Sequence, residues 1–265
     1  MDDSLPIGLG TYENTDPETC AHAVEYALNH GYRHVDTAEM YDNEAAVGEG
    51  IARADVPRED VVVATKVSPE HLAHDDVLEH ARASMDRLGV DALDLLYVHW
   101  PIRAYDPGAT LAAFDELYDE GLVRHVGLSN FTPDLLEEAI ETLDAPLFAH
   151  QVECHVLLQQ DELRRMAREH GHHLVAYSPL AKGDVTEVDV LRDVAAAHDA
   201  TAAQVALAWL AAEDAVVPIP KAASEAHIEE NLAAMDLALS EAEIARIDAV
   251  DRTDRKVDFE AAPWN

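Results

Sequence analysis

The sequence predicts a single (β/α)8 barrel spanning residues 1–265, and three observations carry that expectation. Eight short apolar runs of β type alternate with longer stretches of helical periodicity, which implies a parallel sheet with helices outside it. The length of 265 residues suits one barrel of this kind, which takes roughly 250. Right-handed crossovers would also allow an open doubly wound sheet, but that fold opens on a dinucleotide-binding glycine fingerprint. Here Gly8-Leu9-Gly10 starts such a pattern and Glu13 occupies the place of the third glycine, so the closed barrel is favoured.

The elements follow in order. Strands are expected at Ile7–Thr11, His34–Asp36, Val61–Thr65, Leu95–His99, His125–Ser129, Ala149–Glu153, Leu174–Tyr177 and Val216–Ile219. Between them, helices are expected near Pro17–Asn29, Asn43–Arg53, Asp75–Leu88, Thr110–Glu120, Pro133–Thr142 and Asp161–His170. The seventh unit carries Asp189–His198 with Thr201–Ala212, the eighth carries Ser224–Met235, and a further helix near Glu241–Val250 closes the pattern. No linker, second domain or internal repeat interrupts the series.

Charge narrows the function classes. Asp and Glu number 53 against 18 Lys and Arg, a formal net charge of −35, and the carboxylates are spread along the whole chain. Such a surface repels nucleic acid and anionic membranes. The composition resembles that of proteins from salt-accumulating halophiles, where screening suppresses self-repulsion. No apolar run is long enough to span a bilayer, and the acidic start Met1-Asp2-Asp3-Ser4 does not read as a signal peptide. Cys20 and Cys154 cannot build a disulfide framework, so a reducing cytoplasm is the expected compartment and a monomer the expected state.

A barrel builds its active site at the C-terminal ends of its strands. The second strand ends at Asp36, with Tyr41 in the loop beyond; the third runs into Lys66; the fourth ends in His99-Trp100-Pro101. Consecutive strands thus bring a carboxylate, a phenol, an ammonium and an imidazole to one mouth. Reduction of a carbonyl needs these types, because hydride goes to carbon and a proton to oxygen. A phenol with a pKa near 10 is a sluggish donor at neutral pH. A nearby ammonium is expected to lower that pKa, a carboxylate to hold the ammonium, and an imidazole to orient the substrate oxygen.

At these residues the chain resembles the aldo–keto reductase family. The stretch Gly31-Tyr32-Arg33-His34-Val35-Asp36-Thr37-Ala38, with Tyr41, Glu44, Val47 and Gly48, is similar to the family's first signature. Ala64-Thr65-Lys66-Val67 and Tyr97-Val98-His99-Trp100-Pro101 carry its lysine and histidine, and the likeness runs from about Leu5 to the end. The resemblance implies Tyr41 as general acid, Lys66 and Asp36 as the groups that tune it, and His99 as the residue that orients the substrate. It also implies a nicotinamide site. Ser129, Asn130 and Gln151 would hold the amide, Tyr177 would stack on the ring, and Thr11, Ser178 and Leu180 would complete the cradle. Lys221, His227, Glu230 and Asn231 would bind the adenosine end. Ala222 follows Lys221 where the family usually has Ser or Thr, His227 stands where Arg is usual, and His150 where Asn is frequent. NADPH is therefore expected as the weakly preferred cofactor, with NADH accepted.

The loop after Leu180 is short and the tail Pro263-Trp264-Asn265 ends early, as in small prokaryotic members such as the diketogluconate reductases. Trp100 and Trp264 are candidates for the pocket wall around a small carbonyl substrate. A binding or regulatory protein on the same fold is the alternative class, and the complete set of four chemical groups weighs against it. Among 15 histidines, the cluster His170, His172, His173 and the pair Cys154-His155 show no established zinc spacing, so no metal site is expected.

Overall fold

The structure, a computed structural model, describes residues 5–213 and 215–265. Its strands are β1 (Gly8–Gly10), β2 (His34–Asp36), β3 (Val62–Val67), β4 (Leu93–Val98), β5 (Val123–Ser129), β6 (Leu147–Glu153), β7 (His173–Tyr177) and β8 (Val216–Pro218). All pair in parallel and in sequence order. The ends of the sheet meet, because Gly10 bridges to Lys221 and its N–H donates to the Pro220 carbonyl at 3.1 Å. A side chain at position 10 would put its Cβ 2.9 Å from the Ile219 carbonyl oxygen. Gly10 therefore allows closure of the barrel, which accounts for part of the glycine pair in the first strand without a phosphate loop.

Ten α-helices are described: α1 (Pro17–Asn29), α2 (Glu44–Arg53), α3 (His74–Leu88), α4 (Pro107–Asp119), α5 (Pro133–Thr142), α6 (Asp161–His170), α7 (Asp189–His198), α8 (Ala202–Ala211), α9 (Glu225–Ala233) and α10 (Glu241–Asp248). Local chemistry sets several starts. Asp16 accepts from the Thr19 N–H ahead of Pro17, while Thr201 with Gln204 and Ser240 with Glu243 form capping boxes. The fourth helix begins earlier than its periodicity suggests, because Asp106 accepts from the Ala109 N–H and Pro107 fits the first turn. The last unit ends early: α9 stops at Ala233 and a 3-10 turn, Ala234–Asp236, takes over. No described helix is long and apolar enough to cross a membrane.

The core is two shells. Inside the barrel pack Ala64, Leu95, Tyr97, Ala149, Val175, Val217 and Ile219. Outside it, residues such as Leu9, Val24, Leu28, Val63, Leu96, Leu128 and Leu174 fill the space beneath the helices. Side chains alternate across a strand, so the inner set fixes which residues face inward at the top. Counting on by two from Ala64, Tyr97, Ala149 and Val175 reaches Lys66, His99, Gln151 and Tyr177. The same count inward from β2 and β5 gives Asp36 and Ser129. The fold thus gathers these side chains at one end through strand parity alone.

Candidate active site

Lys66 is buried at the top of β3, and its Nζ donates to Asp36 Oδ1 at 2.5 Å and to the Thr37 carbonyl at 2.7 Å. The other Asp36 oxygen accepts from the Gln151 amide at 2.7 Å. Tyr41 stands on a 3-10 turn, Glu39–Tyr41, that follows β2. Its ring lies over this pair, 5.2 Å from the Lys66 ammonium and 5.8 Å from the His99 ring in an edge-on arrangement. The four groups expected at one mouth are therefore in one cluster.

Their electrostatics differ from the sequence argument at one point. Lys66 is expected to pull the Tyr41 phenol down. Instead burial, and then the charge of Asp36, hold that hydroxyl well above the usual phenol range. The reason is geometric: the ammonium is directed at Asp36 and Thr37, and it meets the face of the Tyr41 ring. The phenol is therefore kept protonated. Burial also draws Lys66 below the usual lysine range, against the pull of Asp36. His99 is held far below the ordinary histidine range by burial and by Lys66, so its imidazole is neutral.

A second network continues from Gln151. The Ser129 hydroxyl donates to the Gln151 carbonyl and the Asn130 amide to Ser129 Oγ, each at 2.9 Å. The Asn130 amide also donates to the His99 carbonyl at 2.9 Å, and the Tyr177 hydroxyl to Asn130 Oδ1 at 2.8 Å. Asn130 reaches these partners from a left-handed backbone, φ 66°, which asparagine tolerates better than most residues. The Thr11 hydroxyl is buried and donates to the Asp36 carbonyl at 3.0 Å. Ser178 and Leu180 follow β7, Ser178 with φ 48°. At the far side, Lys221 and His227 are exposed near the start of α9, Glu230 is half-buried and Asn231 buried. Lys221 makes no ion pair with any described residue.

The two candidate wall residues also meet. Trp100 lies 5.6 Å from Trp264 and edge-on to Phe259 at 4.9 Å, and the Arg255 guanidinium covers Trp264 at 3.9 Å. A recess of about 110 Å³ opens beside them, lined among others by Asn130, Glu153, Arg255 and Trp264. A larger one of about 290 Å³, lined by Gln159, Asp161, Arg164, Arg168 and Asp248, involves none of the site residues.

The profile described as Aldo/keto reductase family matches residues 6–252. The chain belongs to the aldo/keto reductase family. A methylglyoxal reductase of Escherichia coli O157:H7 is 38% identical over 98% of each chain. A solved structure described as that of a candidate 2,5-diketo-D-gluconic acid reductase B superposes with a TM-score of 0.93 at 37% identity, covering 97% of this chain and 91% of the other. The Bombyx mori aldo-keto reductase in complex with NADP superposes with a TM-score of 0.88 at 28% identity, over 95% and 91%. The protein is an oxidoreductase of a carbonyl-reducing family.

Two features of this aldo/keto reductase are not singled out from the sequence. Tyr97 faces the barrel interior beneath the site, 5.8 Å from Lys66, and its ring occupies the side-chain space of Gly127, where a Cβ would lie 2.4 Å from Tyr97 Cδ1. The inward parity of β4 is the signal that could have found it. The other is Glu153, buried at the end of β6. It accepts from the backbone N–H groups of Lys256 and Val257 at 2.5 and 2.7 Å and pairs with His155 at 2.9 Å. One internal carboxylate thereby fixes the tail that carries Phe259 and Trp264 across the mouth. No local pattern reveals its hold on the tail, since Lys256 and Val257 lie about a hundred residues away.

Proposed function

We propose that the protein reduces a small aldehyde or ketone, such as an α-oxoaldehyde, to the alcohol, with NADPH weakly preferred over NADH. The observation that carries this reading is the Asp36–Lys66 pair beneath a protonated Tyr41, with neutral His99 at the same mouth. The methylglyoxal reductase among the relatives supports the substrate class.

The residues present fit a nicotinamide dinucleotide. Lys221 is a cation without an ion pair among the described residues, beside the N-terminus of α9, where backbone N–H groups and the helix dipole favour a phosphate. Ser129, Asn130 and Gln151 offer amide and hydroxyl groups near Asp36, and Tyr177 offers a flat ring. Thr11, Ser178 and Leu180 would frame the same cradle, with Lys221, His227, Glu230 and Asn231 at the adenosine end. When bound, the reduced nicotinamide supplies the hydride. The remaining work falls to the chain. Neutral His99 donates a hydrogen bond to the substrate oxygen and orients it. Tyr41, held in its acid form, delivers the proton to that oxygen. Lys66 is a buried cation beside the ring of Tyr41, and Asp36 keeps Lys66 in place. Trp100 and Trp264 exclude water from one side of the pocket.

The test is Tyr41→Phe, which removes the donor and leaves the ring. Consumption of NADPH with methylglyoxal as substrate should fall by at least about 10²-fold, while fluorescence titration with NADPH should give an unchanged Kd. Near-normal turnover in the variant would remove Tyr41 from this role. Cofactor binding without turnover in the unaltered protein would reject the enzymatic reading.

A further inference from the structure

The turn that carries Tyr41 also carries a group that the reduction does not use. Glu39 Oε1 lies 2.5 Å from His80 Nδ1 and 3.0 Å from His71 Nδ1. His80 belongs to α3, and His71 ends a 3-10 turn, Pro69–His71, that follows β3. The two imidazoles are stacked with centroids 3.6 Å apart at 15°, so both Nδ1 atoms face the same carboxylate. We propose that Glu39, His71 and His80 form a binding site for a divalent transition-metal ion of the Zn2+ type.

Geometry and chemistry both favour this. The three candidate ligand atoms lie within 4.8 Å of one another. A tetrahedral ion with ligands at about 2.0–2.2 Å places them about 3.3 Å apart, and because each imidazole lone pair lies in its ring plane, the two stacked rings must also turn about their side-chain torsions for both Nδ1 atoms to converge on the ion. The second Glu39 oxygen accepts from the Ser68 N–H at 2.9 Å, which orients the carboxylate from behind. Two imidazole nitrogens and one carboxylate oxygen suit Zn2+, Co2+, Ni2+ or Cu2+. Mg2+ and Ca2+ prefer shells made of oxygen. Three protein ligands leave a fourth position for water. The side chains of His71 and His80 are 36% and 27% exposed, which gives an ion a path, and the carboxylate-rich surface draws cations toward it. The competing arrangement is a clasp of hydrogen bonds alone, with one carboxylate oxygen accepting from two Nδ1–H groups.

Cobalt chloride separates the two. Chelator-treated full-length protein is titrated in molar KCl, which screens scattered surface carboxylates, and followed by visible absorption and calorimetry. The expected result is one Co2+ per chain with ligand-field bands, displaced by Zn2+, and a rise in Tm with Zn2+ by mass action. His71→Ala and His80→Ala should each weaken binding at least tenfold, and the double variant should lose both the bands and the Zn2+-dependent rise in Tm. If an alanine variant does not fold, His71→Gln and His80→Gln keep the bulk of the ring and lose the nitrogen ligand, with the same outcome expected. Binding by the unaltered protein that equals binding by the double variant would overturn the site and leave the hydrogen-bonded clasp.

Discussion

The pair beneath Tyr41 allows a prediction with a worked magnitude. Lys66 and Asp36 are almost entirely buried, with side-chain exposures of 1% and 3%. Removing one partner of a buried pair typically costs about 3–5 kcal/mol, because the other charge is left uncompensated. Lys66→Met leaves Asp36 with the Gln151 amide at 2.7 Å, which places the cost near the low end, about 3 kcal/mol. For a chain of this size that is a fall in Tm of roughly 6–12 °C. Asp36→Asn leaves the ammonium with the Thr37 carbonyl at 2.7 Å and is expected to cost a similar amount. The double variant buries no unpaired charge, so its loss should be smaller than the sum of the two singles by about 2–3 kcal/mol. Urea unfolding in molar KCl measures all four proteins. Turnover separates stability from chemistry, since every variant should lose at least about 10²-fold in kcat even where stability is restored. Losses that add within about 0.5 kcal/mol would refute the coupling, and with it the claim that Asp36 holds Lys66 charged and in place.

Three further outcomes follow from the structure. Burial holds His150 down to about 3 and His172 to about 4, against about 6.5 in the unfolded chain. The unfolded state therefore binds more protons between these values, and each residue's contribution is lost as pH falls below 6.5, by about 2 kcal/mol at pH 5. His150→Asn should flatten the fall of Tm between pH 7 and 5, and an unchanged slope would remove His150 from the effect. With a net charge of −35, Tm should rise with salt as the Debye length shrinks from about 30 Å at 0.01 M to about 3 Å at 1 M. A Tm that stays constant over that range in KCl counts against self-repulsion and against a halophile's adaptation. Finally, kcat/KM should favour NADPH over NADH only modestly, and His227→Arg should widen the ratio by about tenfold, the lower value of a charge-assisted hydrogen bond. A preference above about 10³-fold in the unaltered protein would mean that residues other than Lys221 and His227 grip the phosphate.

Strand parity explains what the sequence could and could not disclose. Asp36, Ser129 and Tyr177 end their strands, His99 follows β4, and Lys66 and Gln151 stand one and two residues inside the ends of β3 and β6, so a correct count of eight strands suffices to gather them. Boundary errors of a residue or two, such as expecting β3 to stop at Thr65 when it runs to Val67, do not disturb that result, because parity along the strand is unchanged. Tyr97 was legible by the same rule and is visible in retrospect beside Gly127. Other features depend on where a charge is aimed. The phenol of Tyr41 is raised because Lys66 points at Asp36 and Thr37, and no spacing in the chain encodes that direction. Glu153 and the Glu39–His71–His80 cluster are further removed still. Each draws on more than one βα unit, and His71 and His80 stand nine positions apart, on a turn and on α3. A spacing rule for zinc looks for ligands close together on one element or in tandem pairs, and it passes over a site whose carboxylate arrives from the loop of the preceding strand. In a barrel every top-side loop lies beside its neighbours in the ring, so ligand sets drawn from adjacent units come from the closure of the fold, and they become visible only once that closure is known.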